Sequence, residues 1–307
     1  MINRIIIRIK IFQIIYAFYQ KGSSDSKLAE NELLFSLQKS YDLYHYLLLL
    51  IPALVDTEQK RIDIRKHKYL ATKEERNPNL RFINNRFAEQ LSQNEQLLKF
   101  TNEKGRLWDE EQLFIKNLLD KIIESDIYKA YLESEDNYDS DREFWRKIFK
   151  TFICDNEDLS ELLEDKSIYW NDELDIVGTF VLKTIKQFKE ESKEKQALLP
   201  MFKDEGDRVY AVSLLRSALS NKEDYSRRIT KHIKNWDVER IAITDLFIMQ
   251  IALAEILTCP SIPTNVTLNE YIDIVKYYST TKSAPFINGI LDAVLEDLKT
   301  ENLLFKT

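Results

Sequence analysis

A chain of 307 residues is long enough for one large or two ordinary domains, and 5 Gly and 6 Pro set against 31% charged residues favour long helices and short loops. So few glycines exclude the clustered-Gly loops that cradle phosphates in P-loop and dinucleotide-binding enzymes, and Cys154, Cys259, His45, His67 and His232 are too scattered for a metal or redox motif. The net charge of −7 conceals segregation: residues 1–24 hold Arg4, Arg8, Lys10 and Lys21 and no acid, 60–86 hold nine Lys/Arg against three acids, and 109–175 hold 21 acids against 8 bases.

Residues 3–21 read as one helix with two apolar stripes, Ile7, Ile11, Ile14, Ile15 and Phe18 on one side and Ile5, Ile9, Phe12, Tyr16 and Tyr19 on the other. Such a helix is sandwiched between partners and leaves a narrow basic strip exposed. Arg4 and Arg8 border that strip on one side, with Lys10, Gln13, Gln20 and Lys21 towards the other. Arg8 and Lys10 also interrupt any secretory signal, and no small-residue cleavage site follows. Residues 28–70 read as one long helix or two, bent at Pro52, and the apolar run around that proline is shorter than the roughly 18 residues of a membrane span.

Asn77-Pro78-Asn79 signals a turn, and 80–100 a further helix. Its opening interleaves Arg81-Phe82 and Arg86-Phe87 around Asn84-Asn85, a pattern of single-strand binders and equally of amphipathic helices. Helical periodicity continues over 110–133, 142–154 and 158–166, with acidic linkers such as 134–141 between them, and again over 170–189. The acidic part either offers a basic partner a docking surface or only supplies solubility.

From Asp204 a helix pair precedes the most apolar stretch of the chain. Asp237 is a candidate N-cap for a helix over 241–257, whose few polar residues imply burial on nearly every side. Thr267 and Glu270 fit a capping box, and the helix they open carries Tyr271, Val275 and Tyr278 on its apolar face. Ser283 is the expected cap of the last helix, with Pro285 in its first turn and Phe286, Ile290, Leu291, Val294 and Leu298 as its stripe. Gly289 inside that helix suggests close packing, with Asn288 turning its amide outward.

The spaced residues Arg240, Ile248-Met249, Ala252, Glu255-Ile256-Leu257, Ile262-Pro263, Asn269-Glu270, Lys276, Ser283, Phe286 and Asn288-Gly289 through Asp292 resemble the transcription antitermination factor family NusB. The resemblance is close over roughly the last hundred residues and looser over the first twenty, where Gln13 to Tyr16 is similar to the family's Gln-x-Leu-Tyr pattern. It implies an all-α, NusB-like helical bundle with N-terminal helices over 1–59, a large helical insertion over 60–196 and a C-terminal helical domain over 197–307. It further implies a non-enzymatic cytoplasmic factor that needs no cofactor or membrane. The implied partners are single-stranded boxA-like RNA, the ribosomal small-subunit protein NusE and the transcription elongation complex.

By position, the RNA contacts would come from Arg4, Arg8, Lys10 and Gln13 of the first helix and from Lys282, Phe286 and Asn288 near the last. Guanidinium groups there would pair with phosphates and stack on unpaired bases. Two departures stand out: Ser279 replaces a usual Gly, and Gln250 a common Arg. NusB-like domains also occur in RNA cytosine methyltransferases, but Thr258-Cys259-Pro260 comes with no Gly-rich cofactor loop, so Cys259 is not expected to be a nucleophile. The competing expectation is a helical protein–protein scaffold that keeps the fold and has lost RNA affinity.

Overall fold

The computed structural model describes residues 1–22, 25–70, 72–233, 242–280 and 282–304. Among these residues the fold is all-α, with fifteen helices, and the extended pairing they show is one isolated bridge, Ile2 with Phe202. No helix among them is long and apolar enough to cross a membrane.

The first helix, α1 (Arg4–Gln20), starts where extended Asn3 accepts the Ile6 amide proton at 3.0 Å. α2 (Ser26–Lys66) runs unbroken through Pro52. α3 (Lys73–Arg76) is one turn held by a capping box between Thr72 and Glu75. The expected helix over 80–100 is instead α4 (Arg86–Gln93) and α5 (Glu95–Lys104). Asn94 breaks the run with extended backbone, and its side chain accepts the amide protons of Gln96 and Leu97.

Ser125 resets the chain in the same way between α6 (Gln112–Glu124) and α7 (Asp126–Glu133). α8 (Tyr138–Phe152) begins inside the acidic 134–141 stretch expected to be a linker, because Asn137 caps it and Asp139 and Asp141 favour the positive end of its dipole. α9 (Glu157–Lys166), α10 (Leu174–Gln187) and a 3-10 turn (Glu190–Lys195) follow. The chain ends with α11 (Glu205–Ser220), α12 (Lys222–Thr230), α13 (Ile243–Thr258), α14 (Thr264–Tyr278) and α15 (Ser283–Thr300). Asp237, the candidate cap of the apolar helix, lies outside the described residues.

Two compact units result, one comprising Ile2–Gln38 with Phe202–Thr307 and the other Met1 with Lys39–Met201. The first is built around α13, which packs against α1, α11, α12, α14 and α15. Phe247 to Ile256 are all buried, as a helix apolar on nearly every side requires. The second is built around α8, which packs against α4, α6, α7 and α10. Its aromatic core corrects the single-strand-binding reading of 81–87. Phe82 and Phe87 are 1% and 0% exposed, with Phe82 at 5.5 Å from the Trp145 ring and Phe87 at 5.4 Å from Phe188. Arg81 lies 4.6 Å over the Tyr131 ring and Arg86 pairs with Asp136 at 3.0 Å, so this stretch is an amphipathic edge of the core.

Candidate nucleic-acid interface

Of the seven residues expected to meet RNA, Arg8 has the best-defined surroundings. Glu255, on the largely apolar α13, is fully buried and takes Arg8 in a bidentate pair, Nε and Nη2 each at 2.8 Å from a carboxylate oxygen. Glu270 of α14 accepts from Nη1 at 2.9 Å. The remaining capacity of Glu255 is filled by the hydroxyls of Tyr210 (2.6 Å), Thr267 (2.8 Å) and Tyr271 (3.1 Å). Burial opposes both charges, but hydrogen bonding and attraction outweigh it, holding the Arg8 guanidinium above and the Glu255 carboxyl below its ordinary value. Burial beside the Glu255 charge pushes the Tyr271 phenol well up.

This cluster corrects two expectations. Arg8 is 2% exposed and Lys10 1%, so neither belongs to an exposed basic strip; α1 is held between α11 and α13, and an acid on α13 draws the guanidinium inward. Thr267 and Glu270 form no capping box either, because α14 starts at Thr264 with Pro263 at its N-cap, leaving both side chains to the buried network.

A second arrangement lies at the junction of α14 and α15. Asp245 of α13, itself buried, accepts a hydrogen bond from the Ser279 hydroxyl, and Ser283 Oγ lies 2.9 Å from both Ser279 Oγ and Thr280 Oγ1. These bonds fix the turn between the helices. Ser283 is thereby a brace within α15, whose N-cap position falls on Lys282 with no side-chain capping bond. Ser279 adopts extended backbone, φ −140°, which any residue accepts, so Gly is not required there. Gln250, at the other departure from the family pattern, is buried and donates to Ser226 Oγ at 2.6 Å.

α1 reaches this junction through Gln13, whose amide donates to the Tyr278 hydroxyl at 3.3 Å, and through Phe12, whose ring centroid lies 5.0 Å from that of Tyr278. Lys282 is exposed, while Phe286 and Asn288 are half-buried, the Asn288 amide donating to Asp292 at 2.9 Å. Gln13 thus meets α14, while Lys282, Phe286 and Asn288 lie along the start of α15. Arg4 stays at the start of α1, 3.9 Å from Asp207 and 5.1 Å from the Tyr210 ring centroid on α11.

The sequence reading passed over Tyr277, which is 81% exposed in the last turn of α14 beside Lys276. The signal was available: consecutive helical residues point about 100° apart, so with Tyr278 turned inward its neighbour faces out. The elements around the α14–α15 turn thus carry an exposed ring (Tyr277), an exposed cation (Lys282) and two amides (Gln13, Asn288). No group of His, Cys, Asp and Glu suited to a metal ion occurs among the described residues.

Comparison with known proteins gives the family. The NusB family model matches residues 174–296, from the start of α10 into α15. Over 98 residues the chain is 41% identical to a transcription antitermination protein NusB of Chloroherpeton thalassium, an alignment covering 32% of this chain and 46% of that protein, less than half of its length. A NusB of Salinibacter ruber is 38% identical over 109 residues, 36% of this chain and 68% of that protein. One from Geotalea daltonii is 36% identical over 134 residues, 43% of this chain and 89% of the relative. With relatives at this identity matched along most of their length, the chain belongs to the NusB family.

Proposed function

We propose that this protein is a cytoplasmic, non-catalytic transcription antitermination factor that binds boxA-like single-stranded RNA together with the ribosomal protein NusE. The observation that carries the reading is the alignment over 89% of a relative named as a transcription antitermination protein. The exposed Tyr277 and Lys282 on either side of the α14–α15 turn support it. In this mechanism Lys282 pairs with phosphate, Tyr277 stacks on a base and the amides orient the strand, with Arg4 as an outlying phosphate contact. Arg8 holds α1 against α13 and α14 and touches no ligand.

Fluorescence anisotropy with a boxA-like RNA, with and without NusE, tests this. Affinity is expected to fall steeply with salt, and Lys282→Ala to reduce the slope of log affinity against log salt by about one. Absence of binding at low salt, with or without NusE, overturns the proposal.

The withdrawal of Arg8 and Lys10 from solvent favours a second reading, a scaffold that keeps the fold without RNA affinity. Affinity purification with and without nuclease separates the two. Partners retained after nuclease, with no enriched RNA, decide for the scaffold.

A further inference from the structure

The turn after α2 departs from the acidic character of the chain. Residues 60–76 carry seven Lys/Arg against three acids in a protein of net charge −7. Arg61 and Arg65 are engaged by Glu58, Arg61 also by Asp120, and Lys68 by Glu75 at 2.9 Å. Lys60, Lys66, Lys73 and Arg76 have no carboxylate within 4.0 Å among the described residues. A helix C-terminus favours cations, which accounts for Arg65 and Lys66 at the end of α2 and for Arg76 at the end of α3, but not for Lys60.

Apolar side chains stand among these charges. Tyr69 is 96% exposed, Leu70 84% and Ile64 68%, so none of them adds appreciably to a core. Lys60 and Ile64 stand four residues apart near the end of α2, which puts a cation and an apolar side chain on one stripe of that helix. The flanking residues are tied: His67 Nδ1 lies 2.7 Å from the Asp63 carbonyl, and Glu75 accepts from the Thr72 amide at 2.9 Å as well as from Lys68. An uncovered aromatic ring amid unpaired ammonium and guanidinium groups combines the two elements of sequence-tolerant single-strand binding, a stacking face and phosphate partners.

We propose that the basic turn after α2, with Tyr69 as its stacking ring, is an additional single-stranded RNA contact carried by the unit formed by residues 39–201. The inference rests on the reading of the chain as an RNA-binding factor and extends its footprint to a region that the junction of α14 and α15 does not include.

The test uses the full chain and fluorescein-labelled oligouridine at low salt. Tyr69→Ala should weaken binding about five- to one-hundred-fold, the range expected for losing one stacked base. Lys66→Ala combined with Lys73→Ala should flatten the salt dependence. In Tyr69→Trp, oligouridine should quench emission beyond the change seen in wild type, whose signal from Trp108, Trp145, Trp170 and Trp236 is the background. Binding reduced by Lys282→Ala but untouched by every Tyr69 variant, without added quenching, overturns this inference and leaves the proposed function standing. Loss on Tyr69→Ala with none on Lys282→Ala supports the inference and removes the junction of α14 and α15 as the RNA site. No RNA binding by wild type overturns both. A response of Tyr69→Trp to phosphatidylglycerol vesicles, with none to RNA, overturns the inference in favour of a lipid surface.

Discussion

Around Arg8 and around Lys66 the chain sets cations among apolar side chains, in two different surroundings. Arg8 meets Glu255 and Glu270 from the helices packed on α1, and a ring of phenol and threonine hydroxyls completes the shell. Arg8 and Glu255 have left water, with Glu270 partly exposed at the edge, so the two buried charges depend on each other. The turn after α2 has Glu58, Asp120 and Glu75 within reach of only some of its cations, and Tyr69 remains in solvent. A basic stretch therefore takes its role from the carboxylates its packed neighbours supply. One buried acid converts an arginine from ligand contact to structural tie.

The largest effect that can break this comparison comes from removing one side of the buried pair. Arg8→Met should lower stability by about 3–5 kcal/mol, because Glu255 is left charged and uncompensated. Adding Glu255→Met should recover a good part of that loss. Tyr69→Ala, by contrast, should change stability by no more than about 0.5 kcal/mol, as expected of an exposed side chain. Urea melts of the four proteins measure all three numbers; an Arg8→Met chain as stable as wild type would remove the structural role.

A smaller effect of the same pair appears on acidification. The Glu255 carboxyl is buried, which alone would raise its pKa, but Arg8 holds it below the ordinary 4.5. A carboxyl depressed in the folded state gives stabilisation that is fully present above its unfolded value and is lost as pH falls through the folded one. Thermal melts taken from about pH 6 to about pH 3 should show a decline below the ordinary carboxylate range that is shallower in the Arg8→Met, Glu255→Met double variant. Equal slopes in both proteins would place the acid sensitivity elsewhere.

Several parts of the fold were legible because they depend on local chemistry. The apolar run that became α13 could only be a buried helix, and Asn3 and Pro285 took the positions their chemistry favours. The breaks at Asn94 and Ser125 were not legible from periodicity, which runs on through a residue whose side chain closes one helix and caps the next. Their identities as good cap formers were the available sign. The site was read less well for a different reason. Arg8 and Glu255 lie 247 positions apart, and no local pattern reports a pairing at that distance. Gln13, Lys282 and Asn288 were found by family position, whereas Tyr277 followed from geometry that a stripe of apolar residues obscures.

Two glycines sharpen the contrast between the units by the smallest expected effects. Gly289 suggested close packing, but a Cβ built there meets nothing within 4 Å, so that expectation is corrected. It lies inside α15 with helical backbone, and Gly289→Ala should stabilise by about 0.4–1 kcal/mol through the lower entropy of the unfolded chain. Gly178, inside α10, is the packing glycine: a Cβ would lie 3.1 Å from the Cys154 sulfur and 3.8 Å from Phe149 Cε1. There the helical gain is opposed by overpacking of about 1–3 kcal/mol, and Gly178→Ala should be destabilising on balance. Cys154→Ala removes the crowding sulfur, so in its background Gly178→Ala should cost less than in wild type, a coupling that Gly289→Ala should not show. Differential scanning calorimetry of these variants reads the sign directly; a Gly178→Ala chain that melts above wild type would mean that the α10 face yields to an added methyl without cost.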